Sequence, residues 1–264
     1  MHKSIQSVHN SYIKELFQLK EKSRVRKKTG LFLIEGLRET TLAINGNFEI
    51  VKILFDSSIL SINKITELNL SSSTEIIEIS NEVYKKIAYR DSTEGIVAVA
   101  KNKTTDFDQL EFKSKFPLIL VAEAPEKPGN IGALLRTADA AGVDAVFIAN
   151  PKTDLFNPNI IRSSIGCVFT TQIAQGSTTD IITFLKKQGI SIYCAALTAS
   201  VDYSTLNYTN SSAIIVGTES TGLSNEWLEN SDQNIIIPMN GIIDSLNMSV
   251  SAAIVVYEAI RQRR

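Results

Sequence analysis

The sequence predicts an α/β protein, with a mostly parallel sheet covered by helices in its C-terminal part and a smaller α/β domain before it. Three observations carry this expectation. Short apolar runs suited to strands alternate with stretches of helical apolar spacing along most of the chain. Some of those runs, residues 118–122 above all, are apolar at every position, as strands buried on both faces of a parallel sheet are. Between the two alternating blocks lies a polar, charged stretch with no sustained period. The expected organisation is therefore a first domain over residues 1–101, a linker over 102–116 and a second domain over 117–264.

In chain order, residues 11–19 carry helical spacing through Ile13, Leu16, Phe17 and Leu19. Residues 31–34 form a short strand. Residues 35–44 form a helix stopped by Asn45, Gly46 and Asn47. Strands follow at 51–55 and 75–79, a helix at 82–88 and a strand at 95–100. In the second domain, the strand at 118–122 leads to a helix over 131–141 and a strand over 145–149. A short helix is expected at 158–165, and a helix over 181–188 ends at Gly189. Strands at 190–197, 213–216 and 234–237 precede a final helix over 248–261.

Composition narrows the function. The chain has 264 residues, 44% hydrophobic and 21% charged, the balance of an ordinary globular protein. No apolar run approaches the ~18 residues of a membrane span, and the N-terminus has no signal-peptide core, so a cytoplasmic protein is expected. Cys167 and Cys194 sit among apolar neighbours and read as free thiols in a reducing compartment. No zinc-ligand spacing occurs. The only histidines, His2 and His9, lie near the N-terminus, so Ser-His-Asp, Cys-His and His-metal chemistry are excluded from the second domain. Net charge is −1, so basic character is local. Lys20, Lys22, Arg24, Arg26, Lys27 and Lys28 cluster against Glu21 alone; the cluster reads either as a phosphate-tracking patch or as a solvated helix end.

Three polar loops interrupt the apolar pattern of the second domain. Gly129, Asn130, Ile131 and Gly132 open a helix whose free N–H groups point outward, but without the G-x-G-x-x-G spacing of a dinucleotide site. Asn130 reads as an N-cap or as a site residue. Arg136 falls off the apolar stripe formed by Ile131, Leu134, Leu135 and Ala138; it is either a solvated surface arginine or a guanidinium aimed at an anion or hydroxyl. Glu219 lies between Gly217 and Gly222, which suggest a backbone that closely approaches something. Asn247 and Ser249 cap the last helix or serve the site. Ala252 and Ala253 permit close packing of that helix, in the core or across a dimer. Loops beyond the carboxyl ends of parallel strands are where open α/β sheets bind ligands, so the three loops read as one composite site.

Taken together, Asn130-x-Gly132-x-x-x-Arg136, Gly217-x-Glu219-x-x-Gly222-Leu223, and Ile237-Pro238-Met239 with Ser245-Leu246-Asn247-x-Ser249 resemble the three signature motifs of the SpoU (TrmH-type) RNA ribose methyltransferases of the SPOUT superfamily. Arg162-Ser163-Ser164-x-Gly166-x-x-Phe169 resembles a fourth stretch. Residues 20–36 resemble, more loosely, the family's appended substrate-binding domain. The resemblance implies a deep trefoil knot in the second domain, a homodimer through it, and S-adenosyl-L-methionine as cofactor without a metal. It implies methyl transfer to a ribose 2′-hydroxyl, in ribosomal RNA before transfer RNA. A non-catalytic RNA-binding module is the competing reading. By the same resemblance Arg136, Asn130, Glu219 and Ser249 serve catalysis. Thr198, Gly217, Ile237, Met239, Leu246 and Asn247 hold the cofactor, and Arg24, Arg26, Lys27, Lys28 and Arg162 contact RNA. Cys167 departs from the small residue usual at its place in the family.

Overall fold

A computed structural model of the chain describes residues 3–89, 94–198, 200–218 and 220–264. Its elements run β1 (Lys3–Ile5), α1 (Ser11–Glu21), α2 (Ser23–Thr29), β2 (Leu31–Glu35), α3 (Leu37–Asn45), β3 (Ile50–Phe55), α4 (Ile62–Thr66), β4 (Glu75–Ile79), α5 (Asn81–Ile87), β5 (Ile96–Lys101), β6 (Leu118–Glu123), α6 (Pro128–Ala141), β7 (Ala145–Ala149), α7 (Pro158–Ser163), β8 (Ile173–Gly176), α8 (Thr178–Lys187), β9 (Ser191–Ala195), β10 (Ser200–Asp202), β11 (Ser212–Val216), α9 (Asn225–Asn230), β12 (Gln233–Ile236) and α10 (Met248–Gln262). They fall into two compact units. The first comprises Met1–Thr104 with Asp154–Thr170, and the second Thr105–Thr153 with Thr171–Arg264.

The first unit is built on a mixed sheet in the order β1-β4-β3-β5-β2, with β5 antiparallel to both neighbours. Helix α1 starts because the Asn10 side chain accepts from the Tyr12 N–H, and it buries Ile13, Leu16 and Leu19. These join Leu33, Leu54, Ile77, Tyr84 and Val97 in one core cluster. Phe32, fully buried, stacks on Phe156 with ring centroids 4.3 Å apart, and Phe48 and Phe169 close an aromatic group around them. Two of those four rings come from the Asp154–Thr170 segment, which also carries α7 against β2. Arg24, Arg26, Lys27 and Lys28 of the basic cluster lie on helix α2, ended by Gly30 in the left-handed conformation that glycine adopts freely, while Lys20 lies in the last turn of α1.

The second unit holds a seven-stranded sheet, parallel throughout, in the order β10-β12-β9-β11-β6-β7-β8. Strands β6, β7 and β11 are buried along their whole length, which accounts for the apolar runs at 118–122, 145–149 and 213–216. From β6 the chain first builds outward through β7 to β8, then returns to build β9 to β12 on the other side. The switch in direction falls between β6 and β11. Helix α8 begins earlier than its apolar spacing suggests, at Thr178, because Ser177 and Asp180 form a capping box. Strand β9 is shorter than expected and leaves Ala196, Leu197 and Thr198 to a loop. The polar stretch before β6 is not loose. Phe107, Leu110 and Phe112 pack against the second unit's core, and the Gln172 side chain donates to Glu111 O at 2.9 Å.

Candidate active site

Loops following β9, β11 and β12 enclose a cavity of about 490 Å3 at the carboxyl edge of the parallel sheet. Thr198, Gly217, Ile237, Met239 and Leu246 all line it, although they lie on three separate loops. Its remaining wall comes from the ends of β9, β11 and β12 and from Met248 and Ser251 at the start of α10. The loop after β11 is a tight closure. Gly222 N–H donates to Thr218 O at 2.9 Å, and Thr218 and Gly222 form an isolated bridge. A side chain at Gly217 would collide with the backbone of Gly222 and Leu223. The close approach that the paired glycines signalled is thus the loop's approach to itself. Glu219 lies outside the described residues.

Asn247 joins two helix starts. Its Oδ1 caps α10 by accepting from Ser249 N at 3.0 Å and from Ser249 Oγ at 2.6 Å. Its Nδ2 donates to Asn130 Oδ1 at 3.2 Å, on the first turn of α6. Helices α6 and α10 pack together along their length. So Asn130, Asn247 and Ser249 come together at the two N-termini, where the helix dipoles favour a negative ligand. Asn247 is beside the cavity rather than in its lining. Arg136 is exposed on α6, and its guanidinium has no hydrogen-bond or ion-pair partner among the described residues.

Sequence reasoning missed Glu123. It ends β6, is 6% exposed, and carries its charge into the core. Its Oε1 accepts from Thr178 Oγ1 at 3.1 Å and from Ser224 Oγ at 2.7 Å, and its Oε2 accepts from Ser224 N at 2.8 Å. One carboxylate thereby fixes the start of α8 and the start of α9, immediately after the glycine-closed loop. Buried charges persist only when so satisfied. The signal in the sequence was a single acid terminating an otherwise apolar strand. Next to it, Ala124 adopts a left-handed backbone (φ 45°), the strained turn from β6 toward α6. Cys194, on β9, is buried, and burial pushes its thiol up to about 12, so it stays protonated.

In the first unit, Arg24, Lys27 and Lys28 are exposed on α2. Arg26 is not available to RNA, a correction to the expectation that it serves with them. It is 4% exposed, forms an ion pair with Asp154, and donates from Nη1 to Leu19 O at 2.6 Å and Lys20 O at 2.9 Å. The helical turn puts it on the inner face while its three neighbours point out. Arg162 is exposed on α7, donating to Asn159 Oδ1 at 3.1 Å. Among the described residues no group of three or more His, Cys, Asp or Glu could hold a metal ion, and no helix is long and apolar enough to cross a membrane.

Fold and site together define an open parallel α/β sheet with a cavity at the carboxyl ends of β9, β11 and β12 that no described histidine lines. Comparison with known proteins makes the assignment particular. Residues 117–257 match the SpoU rRNA methylase family, and residues 10–98 match an MRM3-like substrate-binding domain. A 23S rRNA (guanosine(2553)-2′-O)-methyltransferase, RlmP of Bacillus subtilis, is 31% identical over 97% of this chain and 98% of its own length. The crystal structure of an RNA 2′-O ribose methyltransferase superposes with a TM-score of 0.85 at 37% identity, covering 98% of this chain and 99% of the other. The SpoU methyltransferase AviRb from Streptomyces viridochromogenes, solved with AdoMet, gives a TM-score of 0.87 at 26% identity, covering 97% and 98%. The chain belongs to the SpoU rRNA methylase family.

Proposed function

We propose that this chain transfers a methyl group from S-adenosylmethionine to a ribose 2′-hydroxyl of ribosomal RNA. The observation that carries the reading is the convergence of Thr198, Gly217, Ile237, Met239 and Leu246 on one cavity. Its volume falls within the range of small-molecule sites. Aliphatic side chains such as Leu223, Ile237 and Leu246 share its lining with hydroxyl side chains such as Thr198, Thr218 and Ser245, which suits a nucleoside joined to an amino-acid chain. When bound, S-adenosylmethionine supplies a methyl group already activated on a sulfonium. The protein's task is then to align the ribose hydroxyl and help remove one proton, and alignment is worth about 7–11 kcal/mol.

In this reading Arg136, charged and unpartnered among the described residues, holds the phosphate next to the target ribose and polarises the hydroxyl. Guanidinium resists deprotonation, which favours this role over proton abstraction. Asn130 and Ser249, linked through Asn247, position the ribose or the arginine, and Glu219 orients Arg136 or its loop. Asn247 also steadies the cofactor loop that it terminates. Exposed Arg24, Lys27 and Lys28 of the first unit meet RNA phosphates, and exposed Arg162 meets the RNA at a separate place.

Three further parts belong to the same proposal. A homodimer forms through the second unit, supported by the apolar positions Val250 and Tyr257, 45% and 47% exposed at heptad spacing on α10. A trefoil knot is supported by the return of the chain after β12 to pack α10 on β11 and α6; an experimental backbone trace without threading would remove it. A cytoplasmic location is supported by two free cysteines and an RNA substrate. Ribosomal over transfer RNA is supported by the Bacillus relative, which matches along nearly its whole length. The test is to map ribose methylation in total RNA from cells with and without the protein. One 2′-O-methyl group in ribosomal RNA should disappear. A loss confined to transfer RNA would move the substrate, and an unchanged map would overturn the reading.

A further inference from the structure

The first unit contains a second cleft, lined among others by Arg38, Glu39, Tyr89 and Arg162. Tyr89 follows the end of α5, and its backbone is anchored by a hydrogen bond from its N–H to Glu35 Oε2 at 2.5 Å. Its side chain does not turn into the core; the residue is 46% exposed. The Arg162 guanidinium lies 5.5 Å from the Tyr89 ring centroid. An aromatic ring and a guanidinium plane are thus already assembled at the surface. Beside them the Arg38 side chain is 57% exposed and donates to Glu39 Oε1 at 2.8 Å, while Glu39 is only 6% exposed. Gly36, at φ 105°, lets that carboxylate fold back over the start of α3; a side chain at this position would collide with Glu39 Oε2.

Among the described residues the charges here cancel. Lys20, Arg38 and Arg162 face Glu35, Glu39 and Glu94 around the cleft. A neutral cleft with an open aromatic–guanidinium pair does not draw in a duplex backbone. It matches a flat, polar-edged ring, and in RNA only an unpaired base offers its face for stacking on aromatic or guanidinium planes. We propose that this cleft binds one unpaired nucleobase of the RNA substrate, stacked at Tyr89 and Arg162. The site rests on the RNA reading above and deepens it: the first unit recognises a looped or extruded nucleotide, separately from the phosphate contacts of α2.

The experiment uses the full chain and two probes, a short fluorescein-labelled single-stranded RNA of mixed sequence and the same strand annealed to its complement. Tyr89→Ala should weaken single-strand binding by roughly five- to a hundredfold and leave duplex binding unchanged. The slope of affinity against salt should also stay unchanged, because stacking releases no counterions. Tyr89→Phe should bind like the wild type, and S-adenosylmethionine binding should be the same in all three proteins. Single-strand binding by Tyr89→Ala equal to wild type, an equal loss on the duplex, or a flattened salt slope would each overturn the proposal. If the wild type binds neither RNA, the RNA reading itself fails and this site falls with it.

Discussion

Helices α2 and α6 each carry an arginine that the sequence marks for nucleic-acid work, and the fold treats them oppositely. Arg26 on α2 is buried, paired with Asp154 and bonded to two carbonyls. Arg136 on α6 is exposed and has no partner among the described residues. The difference teaches that residue type proposes a role, while burial and partners decide it. A guanidinium whose donors are already engaged stabilises the fold. One whose donors face solvent is available to a substrate.

The comparison can be broken most sharply at Arg136. Arg136→Ala should lower turnover by roughly 10²–10³-fold or more, the size of losing one preorganised charge donor, while unfolding and S-adenosylmethionine binding stay as in the wild type. Single-turnover methylation measures this, and a fully active variant would remove Arg136 from the mechanism. Arg136→Lys sharpens the point. Residual activity that is flat with pH indicates charge and positioning, whereas activity rising with pH indicates proton abstraction by the new amine.

Arg26→Ala should do the reverse. Removing one partner of a buried pair costs about 3–5 kcal/mol, read from denaturant unfolding. A wild-type unfolding curve would contradict the structural role. Glu123→Gln comes next, at about 1–3 kcal/mol, because Ser224 N–H or Oγ loses a charged acceptor. Calorimetry should also show weaker cofactor binding, since the loop before Ser224 loosens; unaltered affinity would confine Glu123 to stability. The smallest effect belongs to Arg24, Lys27 and Lys28. Replacing all three with Ala should flatten the log–log salt dependence of RNA binding by about 2–3 units without touching stability. An unchanged slope would return these side chains to plain solvated surface.

Much of the fold was legible because long apolar runs are strong signals. Strands β6, β7 and β11 and helices α6 and α10 follow from them directly. What escaped was short or polar. Strand β10 is Ser200, Val201 and Asp202, and α2 is mostly cations, so neither has an apolar period to detect. Helix α8 was read too short because its first turn is set by capping, not by burial. At the site, the loops were visible from their glycines and amides, yet the joining of Asn247 to Asn130 spans more than a hundred residues of sequence. Distance along the chain likewise hid Asp154 as the partner of Arg26, and Ser224 and Thr178 as the partners of Glu123. A sequence marks which groups need satisfying; only the fold supplies what satisfies them.

During synthesis the first unit emerges incomplete. Thr104 is added to the chain well before Asp154–Thr170, a wait of several seconds at about 5–20 residues per second. Through that interval the nascent unit holds Arg26 without its carboxylate, and Phe32 without the stacked ring of Phe156. The second unit's first strands, β6 and β7, are translated inside the same interval. The two units therefore cannot mature one after the other like beads on a string. Their assembly is interleaved, and a stall between Thr104 and Asp154 would strand an unpaired cation and an open aromatic face for chaperones to cover.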